Sequence, residues 1–401
     1  MVDILSDCLI QKILSFLSYQ EVTRMSILSK TWLRAWFDHP NLDFTINCLG
    51  GNTNRVNTIM ERYRKGKIPI EKFELSEFFV NSHVVFPLID KWLDIALQNG
   101  VKDLSLYFTS YPVPIVTILA AKSVRELVLQ GSNLMPVSLS SSVVICNSLR
   151  KLSLSHVRLD ENILQTLLNS CPLIVSFILE YCSGNLRKIK SDSMKVLKIH
   201  HHRGIGEIDT PNLVSLDYMG NQIPELKIAR ESSQLEHSEI FLECINNLNA
   251  AWFYKLRKFL SNLSSWSQVS LYFSGEINMT DLQMDHIGST PQVDILNVNI
   301  LWMNQTIECP TFVEALLWSC HPRRLNLFSN IIGTIANFMD RLMFMKNSSH
   351  STSHSNTPWH SQLKEIKYFD GKNQSLQLRS GEHAKRTNID GEEKVYLLLD
   401  W

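Results

Sequence analysis

Histidine and cysteine are the residues whose positions could support catalysis or metal binding in this chain. Residues 200–202 are three histidines, and Cys320 precedes His321, which places a thiol beside a base. On a strand, only the first and third of three neighbouring side chains share a face, and two imidazoles without a third ligand make a poor metal site. Adjacent side chains seldom reach one substrate together, and Pro322 favours a turn. We therefore expect a solvated strand end at 200–202 and no catalytic pair at Cys320.

Short motifs of common catalytic sites are missing from the sequence. It contains no GxxxxGK[ST], GxGxxG, HExxH or GxSxG. His350, His354 and His360 lie in a run rich in serine and threonine, where we expect them to be solvated. Eight cysteines form no CxxC pair, and Cys171 and Cys182 have no partner pair at zinc-ligand spacing. We predict no catalytic residue, no metal site and no cofactor, with buried thiols in a reducing compartment.

Charge and hydropathy restrict the class of protein. Lys+Arg and Asp+Glu both number 39, so the formal net charge is zero, which disfavours binding to nucleic acid or to an anionic membrane. The charge-poor run from Leu104 to Ala121 contains Pro112 and Pro114 and fits a strand, a turn and a helix start better than a membrane span. No signal peptide is recognisable. We expect a soluble intracellular protein of the cytoplasm, the nucleus or both.

Residues 1–45 have the spacing of three short helices. Apolar residues recur at helical intervals from Leu9 to Leu17, and Ser6 or Asp7 can cap that helix. Ser18 and Glu21 have the form of a capping box at the start of a second helix. The predicted buried positions of the second helix are Val22, Met25 and Leu28.

A third helix is predicted directly after the second. Ser29 can cap its start and Pro40 ends it, because proline disfavours helix at the preceding residue. Two i, i+4 pairs place large side chains on adjoining faces: Trp32 with Trp36, and Leu33 with Phe37. Three helices of this size cannot bury so much apolar surface among themselves. The excess either packs on the rest of the chain or faces a partner.

The middle of the chain contains a second pattern, L-x-x-L-x-L, in which L is any large apolar residue. Leucine fills 54 of 401 positions, and the central members of six units are spaced 23, 25, 25, 20 and 19 residues apart. These intervals favour leucine-rich repeats, each giving one strand to a parallel sheet and a return on the outside. The units are Val101/Leu104/Leu106, Val124/Leu127/Leu129, Leu149/Leu152/Leu154, Ile174/Phe177/Leu179, Met194/Leu197/Ile199 and Leu213/Leu216/Tyr218. Looser units follow, with helical returns such as residues 235–263, at Trp266/Val269/Leu271, Val293/Leu296/Val298, Pro322/Leu325/Leu327 and Leu363/Ile366/Tyr368.

The N-terminal residues resemble the F-box of plant F-box/leucine-rich-repeat proteins. The resemblance covers Ile4 to Leu17, Val22, Ser26 to Trp32, and Trp36, and it departs from the family at Ser6, where proline is usual. It implies a helical unit that binds a Skp-family adaptor and, through it, a cullin-based SCF ubiquitin ligase. Loss of the usual proline would weaken that binding. The contact residues carried over by position are Leu5, Ser6, Leu9, Ile13, Leu14, Leu17, Val22, Leu28 and Trp32.

The whole chain is thus expected to have an α/β fold, a three-helix F-box followed by an irregular leucine-rich-repeat solenoid with a curved parallel sheet and outer helices. We expect the F-box at 1–45, and a connecting segment and N-terminal cap at 46–100, with a polar connection at 47–57 and a helix at 86–97. The repeats are expected at 101–346, a low-complexity loop at 347–361 and a C-terminal strand pair at 362–401, around residues 376–378 and 395–399. The Leu-Leu-Leu-Asp-Trp ending resembles C-termini of the family, which favours a complete C-terminus.

Residues between the apolar positions of each repeat should lie on the exposed face of the sheet. Basic side chains dominate them, which suggests either ordinary solvated positions or a face for acidic or phosphorylated partners. The candidates are Arg125, Glu126, Arg150, Lys151, Ser153, Lys195, Lys198, Arg323 and Arg324. The sequence thus favours a non-catalytic adaptor that captures an unknown protein substrate. A repeat scaffold or receptor outside a ubiquitin ligase is the alternative, and an enzyme is third.

Overall fold

The computed structural model describes residues 5–47, 52–78, 85–109, 111–131, 133–134, 145–202, 204–229, 235–245, 248–264, 266–274, 289–301, 310–348, 362–369, 375–376 and 393–401. The chain divides into two units, residues 1–185 and 186–401.

The first unit begins with three short helices: α1 Asp7–Leu14, α2 Tyr19–Met25 and α3 Lys30–Phe37. The Ser18–Glu21 capping box is present at the start of α2, and the Ser29 hydroxyl accepts a hydrogen bond from the Trp32 amide at the start of α3. Four buried side chains form the core of the helical unit: Ile10, Leu14, Val22 and Trp32. The prediction for Leu28 was wrong, because this residue follows the end of α2 and is 46% exposed.

A parallel sheet follows, in which the strands of the first unit adjoin in chain order. Its six strands are β1 Asn41–Asn47, β2 Lys72–Phe78, β3 Asp103–Tyr107, β5 Glu126–Gln130, β7 Lys151–Ser155 and β8 Ser176–Glu180. Two-residue strands β4 Pro112–Val113 and β6 Asn133–Leu134 pair separately. The helices between strands are α4 Thr53–Gly66, α5 Phe86–Gln98, α6 Ile115–Ala120 and α7 Glu161–Ser170.

Strand register explains the repeat spacing. Leu104, Leu127, Leu152 and Phe177 are partners in successive strands, so the apolar rows stack and are fully buried. One backbone carbonyl just before a strand accepts hydrogen bonds from two amides at the start of the neighbouring strand. The Arg125 oxygen, before β5, accepts from the amides of Arg150 at 2.8 Å and Lys151 at 3.1 Å. The bifurcated bonds fix where each strand begins.

The predicted start of the array at residue 101 is too late. Strands β1 and β2 belong to the same sheet as β3, and α4 occupies part of the predicted polar connection at 47–57. The repeat of β2 fits the L-x-x-L-x-L spacing at Ile70/Phe73/Leu75 and was overlooked, whereas the repeat of β1 has His39 in place of the first apolar residue. The helix predicted at 86–97 is confirmed as α5.

The second unit has its own parallel strands. They are β10 Val196–His200, β12 Ser215–Gly220, β14 His237–Cys244, β15 Gln268–Phe273, β16 Gln292–Ile300 and β17 His321–Ser329. Short strands β9 Lys188–Lys190, β11 Glu207–Asp209 and β13 Glu225–Lys227 form a separate three-stranded sheet. The helices of this unit are α8 Ala250–Leu260, α9 Pro310–Ser319 and α10 Thr334–Ser348.

Strand β14 corrects the prediction of a helical return at 235–263, of which only the part covered by α8 is helical. Trp266, predicted as an inward position, is 70% exposed. Pro322 lies inside β17 instead of forming a turn.

The C-terminal strands continue the sheet in the opposite direction. They are β18 Glu365–Phe369, β19 Ser375–Leu376 and β20 Glu393–Asp400, and β20 lies antiparallel between β17 and β18. The predicted strand at 395–399 is confirmed within β20. Residues 347 and 348 end α10 instead of opening the predicted loop at 347–361, whose remainder lies outside the described residues, as does Leu378.

The helices of the second unit pack on one face of its sheet. Phe273 of β15 turns to that side, with its ring centroid 5.0 Å from that of Phe312 in α9 and 6.1 Å from that of Trp252 in α8. Alternate residues of the same strands point the other way and are half-buried. The side without helices is called the open face below. Within the described residues, no helix is long and apolar enough to cross a membrane.

Candidate functional site

Helix α1 is apolar on two adjoining sides. Ile10 and Leu14 enter the core, whereas Leu9 and Ile13, one residue earlier and about 100° round the helix, point outward. The Phe16 side chain extends this outward stripe one turn and is 75% exposed. Six exposed apolar side chains, on and around α1 and in the turn before α3, are called the docking residues below: Leu5, Leu9, Ile13, Phe16, Ile27 and Leu28. Leu33 and Phe37 of α3 are exposed as well. So many exposed apolar side chains on a small unit indicate a surface that meets a partner.

The contact residues carried over by resemblance fall into two groups. Leu5, Ser6, Leu9, Ile13 and Leu28 are exposed, and Leu17 is partly buried against the core. The remaining assignments need correction, because three side chains are buried inside the helical unit: Leu14, Val22 and Trp32.

Two docking residues were missed from sequence. Phe16 lies seven residues after Leu9, a spacing that could have placed it on the outward stripe. Ile27, in the turn between α2 and α3, is 85% exposed and has no periodic signal.

Ser6 forms the N-cap of α1 through its backbone. Its carbonyl accepts the amides of Leu9 at 3.0 Å and Ile10 at 3.1 Å, while its hydroxyl caps no amide and lies 3.0 Å from the Cys8 thiol. The Ser6 φ of −68° is close to the value that proline imposes. The backbone at this position is therefore already arranged as proline would arrange it.

The helical unit is fastened to the first repeat. The Tyr19 amide donates to Asp43 Oδ1 of β1 at 2.5 Å, and Arg62 of α4 donates to the Tyr19 hydroxyl at 3.2 Å. The Arg62 guanidinium also lies over the Trp36 ring, 4.5 Å from its centroid. The Tyr63 hydroxyl donates to the carbonyl of His39 at 2.6 Å. These contacts hold the docking residues in a fixed orientation relative to the repeats of the first unit.

Burial perturbs the titratable groups at this junction. Desolvation raises the pKa of Tyr19 and of Asp43 above their ordinary values, although the Tyr19 amide opposes the shift of Asp43. Desolvation lowers the pKa of His39 to about 4, and its Nε2 has no hydrogen-bond partner among the described residues. His39 is therefore neutral at physiological pH.

The predicted substrate-face residues of the first unit are neighbours, but their charges are largely compensated. Lys151 forms an ion pair with Glu126 at 3.0 Å across β7 and β5. The Arg150 guanidinium donates to the carbonyls of Asn147 and Leu149. Ser153, two residues after Lys151 in β7, is half-buried, and Arg125 is exposed. The basic excess expected from sequence is thus smaller in the folded unit.

The second unit separates the other predicted residues. Lys195 and Lys198 lie at β10, where Lys198 Nζ is 3.8 Å from Asp217. Arg323 and Arg324 lie on β17, five strand positions away, or roughly 24 Å at the usual strand spacing. They flank Asp294, at 3.9 Å and 3.1 Å respectively. No single basic face unites the four.

An amide ladder on the open face was not predicted as a site. Asn326 of β17 donates from Nδ2 to Asn297 Oδ1 of β16 at 2.8 Å, and Asn297 donates to the Ser270 hydroxyl of β15 at 3.0 Å. Two aromatic pairs flank the ladder: Phe241 with Tyr272, ring centroids 4.3 Å apart, and Phe328 with Tyr396, 5.8 Å apart. The ladder was missed because asparagines between apolar positions carry no periodic signal, and its members become neighbours only through the strand register.

The histidines and the cysteine considered in the sequence analysis form packing and hydrogen-bond contacts within the fold. His200 forms a 2.7 Å hydrogen bond with Asp217, whereas His202 is buried, contrary to the expected solvated strand end, and desolvation lowers its pKa. Cys320 is buried, and His321 stacks on the Trp401 ring at 3.8 Å. Among the described residues, no three His, Cys, Asp or Glu side chains gather at one point.

Most of the described cysteine side chains are packed in the interior. Cys146, Cys171, Cys182 and Cys244 are buried as expected, whereas Cys8 is exposed. A hydrogen bond between the Cys146 and Cys171 thiols lowers the pKa of Cys146 and raises that of Cys171.

A helical unit with an outward apolar stripe, joined to a parallel array of short strands, defines a class of interaction protein. Comparison with known proteins names the family. Residues 59–308, more than half of the chain, match the LRR domain of At1g61320/AtMIF1, and residues 3–44 match the F-box domain. The chain belongs to the F-box/leucine-rich-repeat family.

Its relatives are plant proteins. The chain is 34% identical over 202 residues to the putative F-box protein At1g49610 of Arabidopsis thaliana. The aligned segment covers 49% of each protein. It is 28% identical over 204 residues to F-box/LRR-repeat protein 25 of the same plant, covering 50% of this chain and 74% of the relative. It is also 28% identical over 198 residues to F-box protein At5g03100, covering 49% of this chain and 61% of that protein. The chain thus spans about half the length of several curated relatives it matches.

Proposed function

We propose that this chain is the substrate-recognition adaptor of an SCF-type ubiquitin ligase. The docking residues bind a Skp-family subunit and, through it, a cullin, while the repeats capture a target protein. The observation that carries this proposal is the second apolar stripe of α1, which stays outside a helical core that is complete without it. F-box domains generally bind Skp1-family proteins, and this chain has such a domain.

The junction between helices and repeats supports the same function. An adaptor without catalytic groups acts by holding a target lysine near the conjugating enzyme, so its contribution depends on fixed geometry. The hydrogen bonds of Tyr19 and the stacked Arg62 couple the helical unit to β1 and α4. The functional division we propose is a helical unit ending at α3 and an array that begins at β1. In this division the chain itself performs no chemistry.

The proposal is tested by co-expressing the full chain with a plant Skp-family protein and measuring their affinity after size-exclusion chromatography. Leu9→Asp introduces a charge at the centre of the outward stripe and is expected to weaken binding by about a hundredfold or more, because an unpaired charge would be buried. Leu173→Asp is the matched control, since Leu173 is a similarly exposed leucine of the first unit outside the helices. It should leave binding unchanged.

Two results would contradict the proposal. A folded wild-type chain that binds no Skp-family protein would favour a repeat scaffold outside a ubiquitin ligase. Equal loss of binding in both leucine variants would show that the docking residues have no special role.

A further inference from the structure

Charge is ordered across the open face of the second unit. Strand β14 carries Glu239 and Glu243 on this face, and neither forms an ion pair with a described residue. On the far side, β17 carries Arg324 and β20 carries Lys394. Between them, the alternate half-buried side chains of β15 and β16 are uncharged, and the one carboxylate of β16, Asp294, is buried against Arg324. The face therefore runs from acidic through neutral to basic over five adjacent strands.

Strand register places these side chains in rows. Glu243, Tyr272, Asn299, Phe328 and Lys394 are successive partners from β14 to β20. Four strand spacings separate the ends of this row, or roughly 19 Å. An extended peptide of about six residues spans that distance.

A neighbouring row repeats the order of charge. Glu239, Gln268, Ile295 and Arg324 are successive partners from β14 to β17. Arg324 bonds Asp294 through one Nη2 at 3.1 Å, yet its side chain remains 55% exposed, and a guanidinium has further donors. The β14 carboxylates and the Arg324 guanidinium thus keep charged groups within reach of a ligand.

The uncharged centre of the open face can form hydrogen bonds with amide groups of a ligand. The hydrogen bonds from Asn326 to Asn297 and from Asn297 to Ser270 hold the side-chain amides in a fixed direction. Each asparagine keeps an additional N–H, and an amide offers the donor and acceptor that a peptide bond requires. Tyr272 and Phe328, on either side of Asn299, provide apolar surface beside the amides.

We propose that this face binds an extended peptide of the target protein, with a basic residue against β14, uncharged residues over β15 and β16, and an acidic residue against β17 and β20. The proposal rests on the proposed function, because it specifies the substrate class of the adaptor. A phosphate-rich polymer does not fit, since the β14 carboxylates would repel it. Binding of an uncharged glycan would involve the centre of the face and would not depend on the charged side chains at its two ends.

The test uses the full chain in complex with its Skp-family partner and a displayed library of eleven-residue peptides, randomised at every position. Selection should enrich peptides with Lys or Arg near one end, Asp or Glu near the other and neutral residues between them. Synthetic peptides with this order should bind about tenfold tighter than versions with lysine at both ends, since several partly exposed ion pairs together supply that factor.

Charge inversion is the decisive variant. In Glu239→Lys/Glu243→Lys, the enriched peptides should carry acidic residues at both ends. The matched control, Glu161→Lys/Asp192→Lys, makes the same change in net charge away from this face and should select the original peptides. Asn297→Leu/Asn326→Leu should weaken the synthetic peptide about tenfold without changing the charge order, because the peptide amides lose their partners.

The outcomes separate this inference from the adaptor function. Enrichment of peptides without charge order, identical selection by the inverted variant, or no enrichment at all would overturn the peptide site. The Leu9→Asp chain alone should select the same peptides while failing to bind the Skp-family protein. If the wild-type chain binds the peptides but no Skp-family protein, the ligase function fails and the peptide site stands.

Discussion

Leu9 and Leu14 allow the stability of the helical unit to be separated from its binding surface. Leu14 is one of four buried core residues, so Leu14→Ala leaves a cavity in that core. Leu→Ala at a buried site lowers the free energy of unfolding by about 2–5 kcal/mol, which a three-helix unit of this size does not have in excess. Leu9 is about half exposed, so Leu9→Ala should change the free energy of unfolding by about 0.5 kcal/mol or less.

Binding should respond differently to the same two substitutions. Complete burial of a leucine side chain contributes about 1.5–3 kcal/mol, and roughly half of that remains to be gained when a partner covers Leu9. Leu9→Ala should therefore weaken Skp-family binding about tenfold with an unchanged urea midpoint. Leu14→Ala should lower the midpoint for the helical unit and weaken binding through partial unfolding.

The assay combines urea unfolding, followed by amide hydrogen exchange within α1, α2 and α3, with calorimetric titration of the Skp-family protein. Stabilising the unit with a low concentration of osmolyte should restore binding in Leu14→Ala but leave Leu9→Ala unchanged. The reasoning is refuted if Leu9→Ala unfolds the helices, or if Leu14→Ala binds normally at an unaltered midpoint.

Two further predictions concern single positions. Ser6→Pro should raise the free energy of unfolding of the helical unit by about 0.4–1 kcal/mol and strengthen Skp-family binding, because the backbone already has the φ of proline. Unchanged or lower values of both quantities in urea unfolding and titration would exclude this reasoning. Stability should also fall as pH drops from about 6.5 to about 4. The folded-state pKa of His39 is lowered to about 4, so the unfolded chain binds more protons than the folded chain in that window. This difference lowers the free energy of unfolding by up to about 3 kcal/mol. His39→Asn should reduce the dependence of the urea midpoint on pH without abolishing it, because burial also lowers the pKa of His202 and His321. The exposed His201→Asn should preserve the dependence.

Much of the local structure could be predicted because its causes lie within a few residues. Ser18 with Glu21 and Ser29 with Trp32 satisfy amides at helix starts, and such caps can be recognised from adjacent sequence. The six L-x-x-L-x-L units became strands because their apolar rows stack in register. Strand β14 was missed because Ser238 stands where the other units have their central apolar residue, and because the same interval contains helix α8.

The candidate site was predictable in part. The outward stripe of α1 and its resemblance to an F-box identified the docking surface, but not which apolar residues face inward. Leu14 and Leu9 have the same chemistry, and only the positions of α2 and α3 decide which of them is buried. Ion pairs such as Lys151–Glu126 compensate part of the positive charge predicted for the substrate face, and they join residues 25 positions apart.

The sequence by itself determined the helical unit, the repeated strands and the absence of familiar catalytic motifs, because spacing and capping act locally. Only the tertiary structure decided which side of α1 stays exposed, where the array begins and which charges meet across strands. The ordered charges and the amide ladder of the second unit belong to this second group. Most of these residues lie roughly 30 positions apart and become neighbours only when parallel strands align in register, whereas Lys394 joins them through the antiparallel strand β20.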